Sequence, residues 1–94
     1  MVQQEEIKKI RSLIKEKKLI IGTERTIKEL KKKKLDKVYV SANVSQEVMD
    51  DINHYAKLAD LSVVQLDVFN EELGTICKKP FSISVIGVLK QAND

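Results

Sequence analysis

Val38-Tyr39-Val40-Ser41-Ala42 is the stretch on which the fold turns. None of these residues is charged, and the large apolar ones follow one another instead of alternating with polar ones. A strand with one wet face alternates; a strand covered on both faces does not. The stretch therefore predicts a strand inside a sheet, with other material packed above and below. Asn43 follows it at once and marks its end.

Working back from this strand, Thr23 to Lys34 reads as a helix. Ile27 and Leu30 mark its apolar side, and Lys31–Lys34 form a charged close. Gly22 precedes it, and the Thr23 hydroxyl is placed to cap it. Leu19-Ile20-Ile21 is a short, wholly apolar strand. Gln3 to Lys18 repeats Ile7, Ile10, Leu13 and Ile14 at helical spacing, with charges between them.

Working forward, Ser45 is placed to cap a helix whose Val48, Ile52, Tyr55 and Ala59 fall on one face. Ser62 to Leu66 is a third strand. Asn70 is placed to cap a short helix with Leu73, Ile76 and Cys77. Pro80 halts that helix, because proline disfavours helical geometry at Lys79 before it. Residues 81–89 hold the last strand, and Gln91 to Asp94 read as a frayed tail. The order α-β-α-β-α-β-α-β favours one sheet with helices on both faces. With 94 residues there is material for a single domain, residues 1–94.

Apolar residues make up 43% of the chain and charged ones 33%. The net charge is only +3, but it is unevenly spread. Residues 1–37 hold 13 of the 17 Lys and Arg against six acids, so that third carries +7 and the remainder −4. A basic segment of this kind suits a polyanion. Cys77 is the single cysteine, which excludes an intrachain disulfide and suits a reducing compartment. Apolar runs such as Leu19–Ile21 are too short to cross a bilayer, and the polar start predicts no secretory signal.

Catalytic chemistry finds little to work with. His54 is the single histidine, and with Cys77 it makes an imaginable base–nucleophile pair; a helix-face imidazole and a small core thiol are the plainer readings. Asp50 and Asp51 are neighbours on a helix and point apart. There is no CxxC and no His/Asp/Glu cluster at ligand spacing. Gly22, Gly74 and Gly87 match no phosphate-loop pattern. The expectation is a protein that is not an enzyme and uses no metal or cofactor.

Anion binding has more support. Gly22-Thr23 lies between a strand and a helix, where free N–H groups can receive a phosphate and glycine lets a backbone come close. A plain tight turn explains it equally well. Arg25 and Lys28 follow on the first turns and could add charge-assisted bonds. Lys31–Lys34 read as a solvated face. Asn43 could read base edges or cap the next helix. Phe81 and Ile83 flank Ser82, and alternation would turn both to the same side, as core or as an apolar step for bases.

Two further stretches carry a resemblance. Asn70-Glu71-Glu72-Leu73-Gly74-Thr75 followed by Lys79-Pro80-Phe81, and Asn53-His54-Tyr55-Ala56-Lys57-Leu58-Ala59, are similar to motifs of the archaeal and eukaryotic ribosomal-protein superfamily that binds kink-turn RNA. The likeness runs from about Ile7 to Val88 and is to the L-thirty-e type more than the L-seven-Ae type. The resemblance implies a three-layer α/β/α sandwich with a four-stranded mixed sheet. It implies a structural constituent of the large ribosomal subunit that binds kink-turn-like ribosomal RNA. It also implies a cytoplasmic, ribosome-bound protein, monomeric when free, with ribosomal proteins as neighbours. Three loops would hold the RNA: the turn from Gly22 and Thr23 to Arg25 and Lys28, then Asn43, then Lys79 to Ile83. In the last loop Phe81 and Ile83 would touch bases, with Ser82 between them. Two departures stand out. Glu24-Arg25 replaces the family's usual residues after the glycine, and a carboxylate beside phosphates costs affinity. Lys78 stands where a glycine usually precedes the Lys-Pro pair. The alternatives are a non-ribosomal ribonucleoprotein component and a protein-interaction module of the same fold.

Overall fold

A computed structural model describes residues 4–90. The elements are α1 (Gln4–Lys15), β1 (Leu19–Ile21), α2 (Thr23–Lys31), β2 (Leu35–Val40), α3 (Gln46–Ala59), β3 (Ser62–Gln65), α4 (Asn70–Ile76) and β4 (Val85–Leu89). The predicted α/β alternation is observed. The expected helix start at Gln3 and the tail at 91–94 lie outside the described residues.

The four strands form one mixed sheet in the order β1-β4-β2-β3. β4 runs antiparallel to both of its neighbours, and β2 and β3 are parallel. Side chains on successive residues of β2 go to opposite faces. Tyr39 joins Ile10, Leu73, Ile76 and Ile86 on the side of α1 and α4. Val38 and Val40 join Leu30, Ile52 and Val85 on the side of α2 and α3. The result is three layers, helices–sheet–helices. Residues 38–40 are buried on both faces, which is why their sequence does not alternate.

Ser45 caps α3 as expected: the Val48 N–H donates to its hydroxyl at 3.2 Å. Two other caps differ. Gly22, not Thr23, precedes α2, and no side chain caps it. Phe69, not Asn70, precedes α4, because the Asn70 side chain is engaged elsewhere. β2 starts earlier than predicted, at Leu35, and its ladder ends at Val40. Ser41 and Ala42 leave it to donate to the carbonyls of Ser84 (2.9 Å) and Val68 (2.8 Å).

All four described helices end in the same way. Lys17, Lys33, Asp60 and Lys78 each take a left-handed backbone, with φ between 58° and 60°. Each donates back into its helix, as does the residue after it; Lys78 donates to Thr75 at 3.0 Å and Lys79 to Gly74 at 2.9 Å. This left-handed residue closes α4 two positions before Pro80, so proline is not what stops the helix. It also accounts for the glycine expected at 78: the position demands a conformation that lysine adopts at a cost.

Candidate nucleic-acid interface

Strand direction decides where the loops meet. Since β4 is antiparallel to β1 and β2, the C-terminal ends of those strands lie beside the start of β4. β3, parallel to β2, ends on the same edge. The turn at Gly22, the segment at Asn43 and the loop before β4 therefore share one end of the sheet. Backbone bonds knit them together. Gly22 N–H donates to Val85 (3.0 Å), Ser41 N–H to Ser84 (2.9 Å) and Ile83 N–H to Asn70 (3.0 Å).

Gly22 has φ 113° and ψ 149°, a region almost closed to residues with a Cβ. A side chain there would meet nothing within 4 Å, so backbone conformation, not crowding, demands glycine. The space beside it is open, and the first N–H groups of α2 face this end of the molecule. Glu24 is exposed in that first turn, where the helix dipole favours a carboxylate.

Gly22, Thr23, Arg25, Lys79, Phe81 and Ser82 line one cleft of about 340 Å³. Arg25, Lys79 and Ser82 are exposed. Phe81 is 55% exposed, an unusual state for a large aromatic residue. Gly74 makes the position of Phe81 possible. A Cβ on Gly74 would overlap the Phe81 carbonyl oxygen, so α4 and this loop touch backbone to backbone.

Asn43 has a role neither sequence reading contained. Its Oδ1 accepts from the Asn70 N–H at 2.9 Å, and its Nδ2 donates to Asn70 Oδ1 at 3.0 Å. It caps α4 from across the molecule while Ser45 caps α3. The amide is exposed and keeps one N–H and one lone pair for an outside partner.

Of the remaining expected site residues, Ile83 lines the same cleft from the core side and Lys28 stands outside it. Ile83 is 2% exposed and belongs to the core on the α1/α4 side. Phe81 and Ile83 thus line one cleft with very different exposure; the chain between them is a loop, not a strand, so alternation does not apply. Lys28 is exposed on α2 but does not line the cleft. Sequence reasoning missed Phe69, which is 62% exposed and directly precedes Asn70. Its signal was present: an aromatic residue that belongs to no apolar face of a neighbouring helix or strand.

His54 and Cys77 lie on opposite sides of the sheet, one exposed on α3 and one buried beside α4, so they form no pair. Burial pushes the Cys77 thiol up to about 11, the reverse of an activated nucleophile. Among the described residues no group of three His, Cys, Asp or Glu could hold a metal ion, and no helix is long and apolar enough to cross a membrane.

Solved structures of similar shape include a Bacillus halodurans protein of unknown function, with TM-score 0.82 and 17% identity over 89% of this chain and 83% of that one. A Giardia lamblia 15.5kD RNA binding protein matches with TM-score 0.79 and 14% identity over 90% and 71% of the two chains. Sequence similarity is higher to proteins named large ribosomal subunit protein eL30. The one from Sulfolobus acidocaldarius is 38% identical, with 87% of this chain and 79% of the relative covered. Those from Sulfurisphaera tokodaii (39%; 85% and 76% covered) and Methanocaldococcus jannaschii (34%; 89% and 76%) are similar to the same degree. The description "Ribosomal protein L7Ae/L30e/S12e/Gadd45 family" matches residues 5–94, and with relatives this close over most of its length the chain belongs to that family.

Proposed function

We propose that the chain is a structural constituent of the large ribosomal subunit that binds a sharply bent, kink-turn-like ribosomal RNA through the loop end of its sheet. It does so as a single domain, a monomer when free, at the ribosome in the cytoplasm and without catalysis. The observation that carries this reading is the convergence of Gly22, Asn43 and Phe81 on one edge from three distant parts of the sequence. Phosphates would lie against Gly22 and the start of α2, with Arg25 and Lys79 supplying charge. Phe81 would stack on a base, and the free edge of Asn43 would select one. These roles agree with the relatives, which are named as large-subunit proteins. Neighbouring ribosomal proteins complete the proposed setting.

A second reading has Glu24 behind it. An exposed carboxylate in the first turn of α2 repels a phosphate brought to that helix start, which favours a protein contact on the same fold. Titration of the chain with a bent RNA and with a straight duplex, over a range of salt, separates the two. The RNA reading expects preference for the bent RNA and a log–log salt slope of about −0.7 to −0.9 per phosphate contacted. Phe81→Ala is expected to weaken binding of the bent RNA by about 1–3 kcal/mol with the fold intact. Equal affinity for both RNAs, or an inert Phe81→Ala, would favour the second reading.

A further inference from the structure

The topology that gathers the loops at one end of the sheet sends much of the positive charge to the other. Leu89 N–H donates to the Lys18 carbonyl and Lys90 N–H to the Lys34 carbonyl, both at 3.0 Å. Lys18, Lys34 and Lys90 are thus neighbours beside the start of β2, the end farthest from Asn43. The Lys32–Lys34 turn and Lys37 lie there too. The charge at the loop end is far more mixed, with Arg25 and Lys79 beside Glu24 and the acidic first turn of α4.

At this far end α1 and the strands β2 and β4 enclose a groove of about 800 Å³, larger than the loop-end cleft. Lys8, Lys9, Lys37 and Lys90 line it, against the two carboxylates Glu16 and Asp36. Lys8, Lys9 and Lys90 are exposed. Lys37 is held in place: its Nζ lies 3.8 Å from Glu6 Oε1 and 5.5 Å from the centre of the Tyr39 ring. Glu6 in turn accepts from the Tyr39 hydroxyl at 2.5 Å. Lysines near a helix C-terminus have a local explanation, since they offset the negative end of the dipole within the last turn. That explanation covers Lys15 and Lys31. It does not cover Lys8 and Lys9 in the body of α1, Lys37 in a strand or Lys90 after one.

We infer that this groove is a second RNA-binding surface, which takes the sugar–phosphate backbone of an RNA helix, so that the protein bridges two RNA segments. The inference rests on the RNA reading of the loop end, which makes RNA the polyanion at hand. Ammonium groups on long, flexible stems suit a row of phosphates, read by charge and not by base sequence. The groove therefore differs in kind from the loop end: its one aromatic lining residue, Tyr39, is buried and leaves no exposed ring for stacking.

The test uses the full chain, a straight RNA duplex as probe, and two variants. The triple variant Lys8→Gln, Lys9→Gln, Lys90→Gln is expected to lose at least tenfold in duplex affinity at low salt. Its salt slope should become shallower by about 2, close to 0.7–0.9 for each phosphate contact removed. Phe81→Ala is expected to leave duplex binding unchanged. With bent RNA saturating the loop end, the wild type should still take up duplex as a ternary complex. A triple variant with wild-type affinity and slope overturns the inference, and so does duplex that only displaces bent RNA. A wild type that shows no preference for bent RNA, while the triple variant still loses the duplex, removes the loop-end reading and leaves this groove standing.

Discussion

At one end of the sheet Gly22, Asn43 and Phe81 are held by backbone bonds, an amide pair and a glycine contact; at the other, Lys18, Lys34 and Lys90 are joined through their backbones while side chains such as those of Lys8, Lys9 and Lys90 extend into water. The first end is specified by shape and the second by charge. The difference teaches how one small domain can hold two kinds of contact. A geometric site needs a rigid frame, because a misplaced aromatic or amide loses its partner. A charged groove needs little frame, because Coulomb attraction to a polyanion is long-ranged and tolerant of angle.

The sharpest way to break the comparison is Gly74→Ala. The added methyl meets the Phe81 carbonyl, so α4 and the loop must part. An expected loss of about 3 kcal/mol in denaturant unfolding, typical of overpacking against an unyielding neighbour, should accompany a displaced Phe81 and weaker binding of bent RNA. Duplex binding at the far end should hold in whatever fraction remains folded. A variant as stable as the wild type would mean the loop is not fixed by α4.

Asn43→Ala is next. It leaves the Asn70 N–H at the start of α4 without its acceptor and is expected to cost about 1 kcal/mol in thermal or chemical unfolding. Lost affinity in this variant therefore mixes capping with recognition, whereas Phe81→Ala, at an exposed position, isolates recognition.

The smallest effect has the opposite sign. Lys78 at the loop end and Lys33 at the far end have φ values of 59° and 58°. Glycine relieves the strain of a left-handed L-residue, about 1–2 kcal/mol, but adds freedom to the unfolded chain. Lys78→Gly and Lys33→Gly should each stabilise the fold by about 0.5–1 kcal/mol, and by similar amounts. Stabilisation at only one end would show that the two turns are not equivalent.

Local patterns carried the elements well. The unbroken apolar run at 38–40 announced a strand covered on both faces, and Ser45 announced the start of α3. The other cap assignments failed for one reason. Thr23 and Asn70 each stand one residue inside the helix they were expected to cap, and the side chain that reaches Asn70's N–H comes from Asn43, 27 residues away. The mixed character of the sheet followed from resemblance, not from any residue spacing. Within the interface, the glycine turn and Phe81 were legible as types. That Phe81 faces water while Ile83 enters the core was not, because alternation predicts direction only within a strand.

What the sequence determined by itself was the succession of helices and strands, since helical spacing, apolar runs and turn residues act over a few neighbours. Only the tertiary structure decided the order β1-β4-β2-β3, and with it which loops share an edge and which lysines gather at the other. Strand pairing is a contact between residues distant in the chain, so the direction of each partner, and not any local pattern, sets which ends meet.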